Sequence, residues 1–179
     1  ARFNELRQQL LESSQGWQPD MSDRSDIQVE KIARSLPSTL QVMEDVSNVQ
    51  QLYIAEADKA EALYELLYLR ILSIDMAIRD VYNDSDVSDA LSEKHLNMWR
   101  QFSLKDDVDY LLEIERRVEA YYRDLDLGKE EKMERILGGR YAKYSGAADE
   151  VTLKVLTAMG AEKFSEAYNL TIKHLREVN

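Results

Sequence analysis

The residues of this chain that are best suited to chemistry are carboxylates that follow one another at helical spacing: Glu56, Asp58, Glu61 and Glu65. In a helix, Glu61 and Glu65 stand one turn apart on one face. Carboxylates with this spacing on facing helices can hold divalent metal ions. Together with Asp75 on the same predicted helix, they form a candidate metal-binding constellation.

Two features argue against a metal site. Di-iron bundles place a histidine three residues after a glutamate, but Ser92 and Thr171 stand three residues before His95 and His174. A run of acidic residues on a helix is also typical of a face exposed to water. We therefore predict no bound metal, and we keep a metal-dependent all-α hydrolase of the nucleotide pyrophosphatase type as the second alternative for this chain.

A short turn resembles the start of a calcium-binding loop, because Asp84, Asp86 and Ser88 alternate as oxygen ligands. Counted from Asp84, the sixth position holds an aspartate instead of glycine, and the twelfth holds His95 instead of glutamate. The loop therefore lacks both the tight turn and the bidentate ligand that calcium requires. We interpret it as a turn that caps the next helix.

The sequence shows no catalytic constellation. It contains no cysteine, and none of its serines lies in a Gly-x-Ser-x-Gly elbow. The pair Gly138-Gly139 is not followed by Gly-Lys-Ser/Thr, so it indicates the end of a helix and not a phosphate-binding loop. We predict a non-enzymatic protein without a cofactor.

One stretch of this acidic chain is locally basic: residues 129–143 contain five lysines and arginines against three glutamates. Its end leads into a predicted link in which Arg140 and Lys143 alternate with Tyr141 and Tyr144. Cations that alternate with aromatic rings bind single-stranded nucleic acid through charge and stacking. Tyrosine and arginine are also enriched at protein interfaces. We favour a partner-protein contact at these four residues, with nucleic acid as the alternative.

The dominant predicted element is one long helix. The 45 residues from 38 to 82 contain neither glycine nor proline. An apolar residue recurs there at every seventh position: Val46, Tyr53, Ala60, Leu67, Ile74 and Val81. This repeat is typical of a coiled-coil seam, and the length exceeds the usual helix of about 11–12 residues. We predict a spine helix of about 45 residues that is partly coiled-coil-like.

The predicted seam supplies both a protein interface and a set of buried charges. The interface residues, which lie in or beside its first half, are Val46, Val49, Tyr53, Ala60 and Leu63. Glu56 and Arg70 interrupt the seam, and Glu115 interrupts the stripe of a later helix. Charges at core positions are costly unless they are paired, so an ion pair between Arg70 and Glu115 is a further hypothesis.

Glycines, prolines and capping residues divide the chain into three parts of an all-α helical bundle. Residues 1–36 are predicted to hold two short helices and a loop. Residues 37–127 hold the spine helix and the helices packed on it. Residues 128–179 hold three short helices, separated at Gly138-Gly139 and at Gly160.

Charge and composition narrow the classes of function. The net charge is −11, and residues 1–90 hold 8 basic against 17 acidic residues. This charge disfavours broad binding to nucleic acid or to an anionic membrane. The chain lacks cysteine, and no apolar run approaches the roughly 18–20 residues that span a bilayer. We expect a protein that is cytoplasmic or enclosed in a particle, and not secreted.

These observations predict a non-enzymatic assembly, adaptor or scaffolding subunit. Its partners would be other protein subunits, including further copies of itself, and not a membrane. The mechanism would be burial of the seam residues against another helix. The first alternative is a nucleic-acid-associated accessory protein that uses Arg140, Tyr141, Lys143 and Tyr144.

Overall fold

The computed structural model describes residues 24–36, 42–83, 85–106, 110–128 and 132–178. Within these ranges the chain forms helices and no strands, which confirms the predicted all-α fold. The helices are α1 (Arg24–Ser35), α2 (Val42–Gln50), α3 (Glu56–Tyr82), α4 (Asp86–Asp106), α5 (Tyr110–Leu127), α6 (Met133–Tyr144) and α7 (Glu150–Val178). The first of the two short helices predicted in residues 1–36 lies outside the described residues.

Helix α3 is the centre of the molecule. Its second half is apolar on every side, so it must be covered from several directions. The side chains of Leu69, Ile71, Leu72, Ile74 and Ile78 are fully buried. Helices α2, α4, α5, α6 and α7 all pack against α3, and α1 packs against α4. Among the described helices, none combines the length and the apolar character that a membrane crossing requires.

The predicted spine helix of about 45 residues is not confirmed, because the chain leaves helical geometry between Gln50 and Glu56. Helix α2 packs beside α3, where the buried guanidinium of Arg70 binds the carboxylate of Asp45. In one continuous helix these two residues would lie about 37 Å apart. Because the chain turns between α2 and α3, Asp45 lies close enough to be the counterion of Arg70. The coiled coil is likewise not confirmed, and the longest described helix is α7, with 29 residues.

The turn between α2 and α3 contains no glycine or proline, and it is held by packing and by one lysine. Leu52 and Ile54 pack against the core, whereas the side chain of Tyr53 is fully exposed. The Nζ atom of Lys59 donates to the carbonyl oxygen of Gln50 at 3.1 Å. This bond satisfies a carbonyl that the end of α2 leaves free.

Gly138, Gly139 and Gly160 do not end helices, so the three short helices predicted in the C-terminal part are wrong. Helix α6 runs through Gly138 and Gly139, and α7 runs through Gly160. A Cβ atom on Gly160 would lie 2.5 Å from Cδ1 of Tyr141, and one on Gly138 would lie 2.9 Å from the backbone nitrogen of Ala161. These glycines allow α6 and α7 to approach each other closely.

Candidate functional site

Helix α3 buries three charged side chains: Glu65, Arg70 and Asp75. Burial of a charge is unfavourable unless the charge is paired and hydrogen-bonded. Arg70 meets charged partners on α2 and α7, whereas Glu65 and Asp75 both meet partners on α5. They are therefore the first place to search for a functional site.

Arg70 joins three helices. Its Nη2 donates to Oδ1 of Asp45 on α2 at 2.5 Å, and its Nε donates to the other carboxylate oxygen. A carboxylate oxygen of Glu166 on α7 lies 3.9 Å from Nη2. Lys163 binds Glu166 at 2.9 Å and lies 3.7 Å from Glu44. Positive and negative groups thus alternate between α2, α3 and α7.

The other predicted seam charges do not take part in this pair. Glu56 is exposed in the first turn of α3, where it binds Lys59 at 2.8 Å. Glu115 is half-buried on α5. The counterion of Arg70 is Asp45 and not Glu115, because α2 folds back onto α3.

Glu65 forms a second buried cluster with α5. The hydroxyl of Tyr121 donates to Oε1 of Glu65 at 2.8 Å, and Nε of Arg117 lies 3.1 Å from Oε2. Arg117 also lies 3.6 Å from the carboxylate of Glu113. Burial raises the pKa of Glu65 to about 7, and the guanidinium of Arg117 opposes this shift. The carboxyl group of Glu65 therefore changes its charge near neutral pH.

The Glu65 cluster extends to α6 through aromatic contacts. The guanidinium of Arg117 lies 4.7 Å from the ring centroid of Tyr144, which is close enough for a cation–π interaction. The hydroxyl of Tyr144 donates to the carboxylate of Asp124 at 2.6 Å, and Nε of Arg140 lies 3.3 Å from the same oxygen. The cluster therefore ties α3, α5 and α6 together.

The residues predicted for a partner or nucleic-acid contact are mostly part of this packing. They belong to α6 and not to a loop. Tyr141 is fully buried and its hydroxyl donates to the carbonyl oxygen of Ala62 at 3.0 Å. Tyr144 and Arg140 are half-buried, and Lys143 is exposed. Because Tyr141 is buried, its ring offers no open face on which a nucleobase could stack. The ring of Tyr144 is packed against Arg117.

Asp75 is the third buried charge, and it has one partner on α3 itself and one on α5. Its Oδ2 accepts from the hydroxyl of Tyr122 at 2.7 Å and from Nε of Arg79 at 3.0 Å. His95 on α4 is fully buried, and burial lowers its pKa to about 4. Neither of its ring nitrogens has a hydrogen-bond partner among the described residues. His95 is therefore neutral at pH 7.

The five carboxylates considered for a metal site do not converge. Glu56 and Glu61 are exposed and Asp58 is half-buried, whereas Glu65 and Asp75 are buried, each with its own partners. In the described part of the chain, no group of three or more histidine and carboxylate side chains is placed to hold a metal ion. The geometry thus gives the hydrolase alternative no support.

The fold buries some residues of the predicted protein interface and leaves others exposed. Val49 is only 1% exposed and belongs to the core, and Val46 is half-buried. Tyr53 and Ala60 are exposed, and Leu63 is half-buried. An apolar stripe on the first half of α3 remains partly open; we call it the α3 stripe, and it consists of Ala60, Leu63, Tyr64 and Leu67. Ala60 and Tyr64 are exposed, whereas Leu63 and Leu67 are half-buried and pack against the core.

The α3 stripe has the i, i+3, i+4, i+7 spacing of one helix face. Tyr64 is 58% exposed, and a cavity of about 190 Å³ is lined by Asp45, Leu63, Tyr64 and Leu67. The sequence indicated two of these four residues as interface. Tyr64 was missed because it lies outside the heptad seam, although its distance of four residues from Ala60 was a usable signal.

A second open surface lies between α6 and α7. Two cavities of about 430 Å³ and 590 Å³ share Arg135 and Thr157. Leu153, 41% exposed, lines the larger cavity. We call this surface the α6–α7 groove, and it consists of Lys132, Arg135, Leu153, Lys154, Thr157, Ala158 and Ala161.

Comparisons of the chain give no relative from which a function could be transferred. No protein family, curated protein or solved structure matches it.

Proposed function

We propose that this chain is a non-enzymatic assembly or adaptor subunit that binds a helix of another polypeptide along the α3 stripe. The observation that carries this proposal is the partly open apolar stripe on the central helix, where Ala60 and Tyr64 are exposed beside the half-buried Leu63 and Leu67. A helix binds another helix through side chains at this spacing. Tyrosine is also among the residues that contribute most to binding energy at interfaces.

The charges beside the stripe define the chemistry of the partner. Glu61 is exposed on the same helix. Glu56 and Glu44 are exposed as well, and each already lies beside a lysine of its own chain, Lys59 and Lys163. Acidic flanks favour a partner with basic residues, since complementary charge steers association and fixes register. The proposed partner surface is therefore an amphipathic helix or groove with lysine and arginine at its rim.

The buried charges support a binding role over catalysis. Glu65, Arg70 and Asp75 are each hydrogen-bonded to side chains of their own chain. None of them lines the cavities at the α3 stripe or the α6–α7 groove. A reacting group must contact its substrate, and these groups instead contact the neighbouring helices.

A peptide titration tests the proposal. The probe is a synthetic amphipathic helix of leucine and lysine, labelled for fluorescence anisotropy. Replacing both Tyr64 and Leu67 with alanine should raise its dissociation constant at least about tenfold, because two apolar contacts are lost. The matched control is Val87→Ala, which removes a partly exposed apolar side chain beyond the other end of α3. Equal affinity for all three proteins would contradict the proposal.

A further inference from the structure

We propose that α4 opens as a unit: it separates from α3 and α5 while these helices stay folded, and acid promotes this opening through His95. The inference goes beyond the proposed function and makes no use of the α3 stripe. It is carried by the polar face that α4 buries, where side-chain atoms are enclosed by protein and left without hydrogen bonds.

The face that α4 turns towards the core is mostly polar. On the part of this helix whose side chains the structure describes, residues 86–98, four side chains are buried: Ser88, Leu91, Ser92 and His95. Their spacing of i, i+3, i+4 and i+7 is that of one helix face, which is ordinarily apolar where it packs on a core. Leu91 is thus the one buried apolar side chain on this part of α4.

Three polar atoms on this face have no partner. The hydroxyl oxygen of Ser92 and both ring nitrogens of His95 are enclosed and form no hydrogen bond with the described part of the chain. The hydroxyl of Ser88, by contrast, donates to the carbonyl oxygen of Ser85 at 2.8 Å. A buried polar group without a partner has lost its hydrogen bonds to water and gained none in return. Opening of α4 would restore them.

The ion pairs of α4 lie at its rim. Nζ of Lys94 donates to Oε2 of Glu30 on α1 at 2.5 Å, and Nη1 of Arg79 on α3 lies 3.5 Å from Oδ1 of Asp89. All four side chains are partly exposed, and ion pairs in contact with water contribute little to stability. These pairs therefore compensate poorly for the polar atoms buried beneath them.

Acid adds a positive charge to the buried face. Burial lowers the pKa of His95 to about 4, whereas the ordinary value is 6.5. In the opened state water surrounds the imidazole and its pKa returns to the ordinary value, so the opened state binds a proton first. The closed state is therefore fully stabilised above pH 6.5, and it loses stability as the pH falls from 6.5 towards 4.

The groups around His95 reduce this loss without removing it. Asp75 on α3 favours the protonated imidazole, but burial outweighs its effect. The carboxylate of Asp75 already accepts from Tyr122 on α5 and from Arg79 on α3. On α1, Glu30 is bound to a lysine at the rim of α4. Protonated His95 would thus meet a carboxylate that is already engaged.

Native-state hydrogen exchange, followed by NMR for each amide, tests the inference. Division by the intrinsic exchange rate at each pH gives the equilibrium constant for opening of α4. Amides of α4 should exchange through an opening that leaves α3 and α7 protected. Between pH 7 and pH 5 the opening constant should rise about 20-fold more in wild type than in His95→Leu, which keeps a similar volume and cannot titrate. The matched control is His174→Gln, which changes the other histidine of the chain and should behave as wild type.

Two serine variants test the role of the unpartnered hydroxyl. Ser92→Ala removes an oxygen without a partner, so it should lower the opening constant at pH 7 at least about fivefold. Ser73→Ala is the matched control, because the equally buried hydroxyl of Ser73 donates to the carbonyl oxygen of Leu69 at 2.7 Å. This control should not lower the opening constant.

Three results would overturn the inference: amides of α4 that exchange only with global unfolding, an equal rise in wild type and His95→Leu, or an opening constant that Ser92→Ala raises. The last result would show that the hydroxyl of Ser92 is hydrogen-bonded in the native protein. Should His95→Leu fail to fold, an NMR titration of the wild-type imidazole decides instead. A midpoint below pH 5 supports the inference, and a midpoint near pH 6.5 overturns it.

Discussion

The helix pairs α2–α3 and α6–α7 have similar connections, but different contacts hold the two helices of each pair together. In each pair, consecutive helices are joined by five residues and pack on each other. The first pair is joined by a buried ion pair between Asp45 and Arg70. The second is joined where side chains are missing, at Gly138 and Gly160. The relative position of the two helices is therefore set by an ion pair in α2–α3 and by the close approach that glycine permits in α6–α7.

This difference determines which changes each pair tolerates. Removing one member of a buried ion pair leaves the other charge without compensation, so the α2–α3 pair is sensitive to deletion of a group. A closely packed glycine has no side chain that a substitution could remove, so the α6–α7 pair is instead sensitive to addition of a side chain.

The largest effect is expected at Arg70. Arg70→Met should lower the free energy of unfolding by about 3–5 kcal/mol, because Asp45 then remains buried without its counterion. Urea unfolding followed by circular dichroism measures the change. The double variant Asp45→Leu, Arg70→Met should recover most of the loss, since neither charge remains. If the double variant is no more stable than Arg70→Met, the ion pair does not explain the cohesion of α2 and α3.

A smaller effect with a defined pH range is expected at Glu65. Its folded-state pKa of about 7 lies above the ordinary value of 4.5. Its contribution to stability is therefore fully present below pH 4.5 and is lost as the pH rises through 7. Glu65→Gln should gain stability relative to wild type over this range, by up to about 3 kcal/mol.

Unfolding in urea at pH 4.5 and pH 8 measures this gain. Glu61→Gln is the matched control, because it removes an exposed carboxylate one turn earlier on the same helix. A difference between Glu65→Gln and wild type that is the same at both pH values would show that burial does not control this carboxyl group.

At Gly138 the expected loss comes from addition of a methyl group. The new Cβ atom would overlap the carbonyl oxygen of Thr157, which belongs to the backbone and cannot move aside alone. Gly138→Ala should therefore lower the free energy of unfolding by about 1–3 kcal/mol, as overpacking does elsewhere. Thermal unfolding, repeated over a series of denaturant concentrations, measures this change in the free energy of unfolding. An unchanged or higher stability would contradict close packing of α6 on α7.

The smallest effect is expected at the neighbouring residue, and it has the opposite sign. A Cβ atom on Gly139 would meet nothing within 4 Å, and this residue lies inside α6. Gly139→Ala should raise the free energy of unfolding by about 0.5–1 kcal/mol, because alanine loses less conformational entropy in a helix. The same unfolding experiment compares the two adjacent positions. Destabilisation by both substitutions would indicate a general effect on α6 instead of local packing.

The sequence predicted the all-α fold because its helix-breaking residues are few. It could not predict the turn between α2 and α3, since the turn has no breaker and its cause is the need of Arg70 for a counterion 25 residues earlier. Conversely, the sequence indicated helix ends at Gly138 and Gly160. The local cost of glycine in a helix is about 1 kcal/mol, and packing of α6 on α7 outweighs it.

The candidate site was predictable in part for similar reasons. Ala60 and Leu63 followed from the seam, and both belong to the α3 stripe. Val49 belonged to the same pattern, but the fold of α2 onto α3 places it in the core. Tyr141 had the composition of a binding residue and is buried instead. Periodicity predicts which residues are apolar together, and only the tertiary fold decides which of them remain open.

The five-residue connection between α6 and α7 also bears on the order of folding. Closing a short loop costs little chain entropy, and contacts between neighbouring segments form faster than contacts across the chain. The ion pair of Arg70 with Glu166, by contrast, must bring together residues from distant parts of the sequence. The α2–α3 pair has an equally short connection, but it must also bury the ion pair of Asp45 and Arg70. The α6–α7 pair, which packs at Gly138 and Gly160, is therefore the natural nucleus for refolding, and its amide protons should exchange with deuterium among the slowest in the native protein.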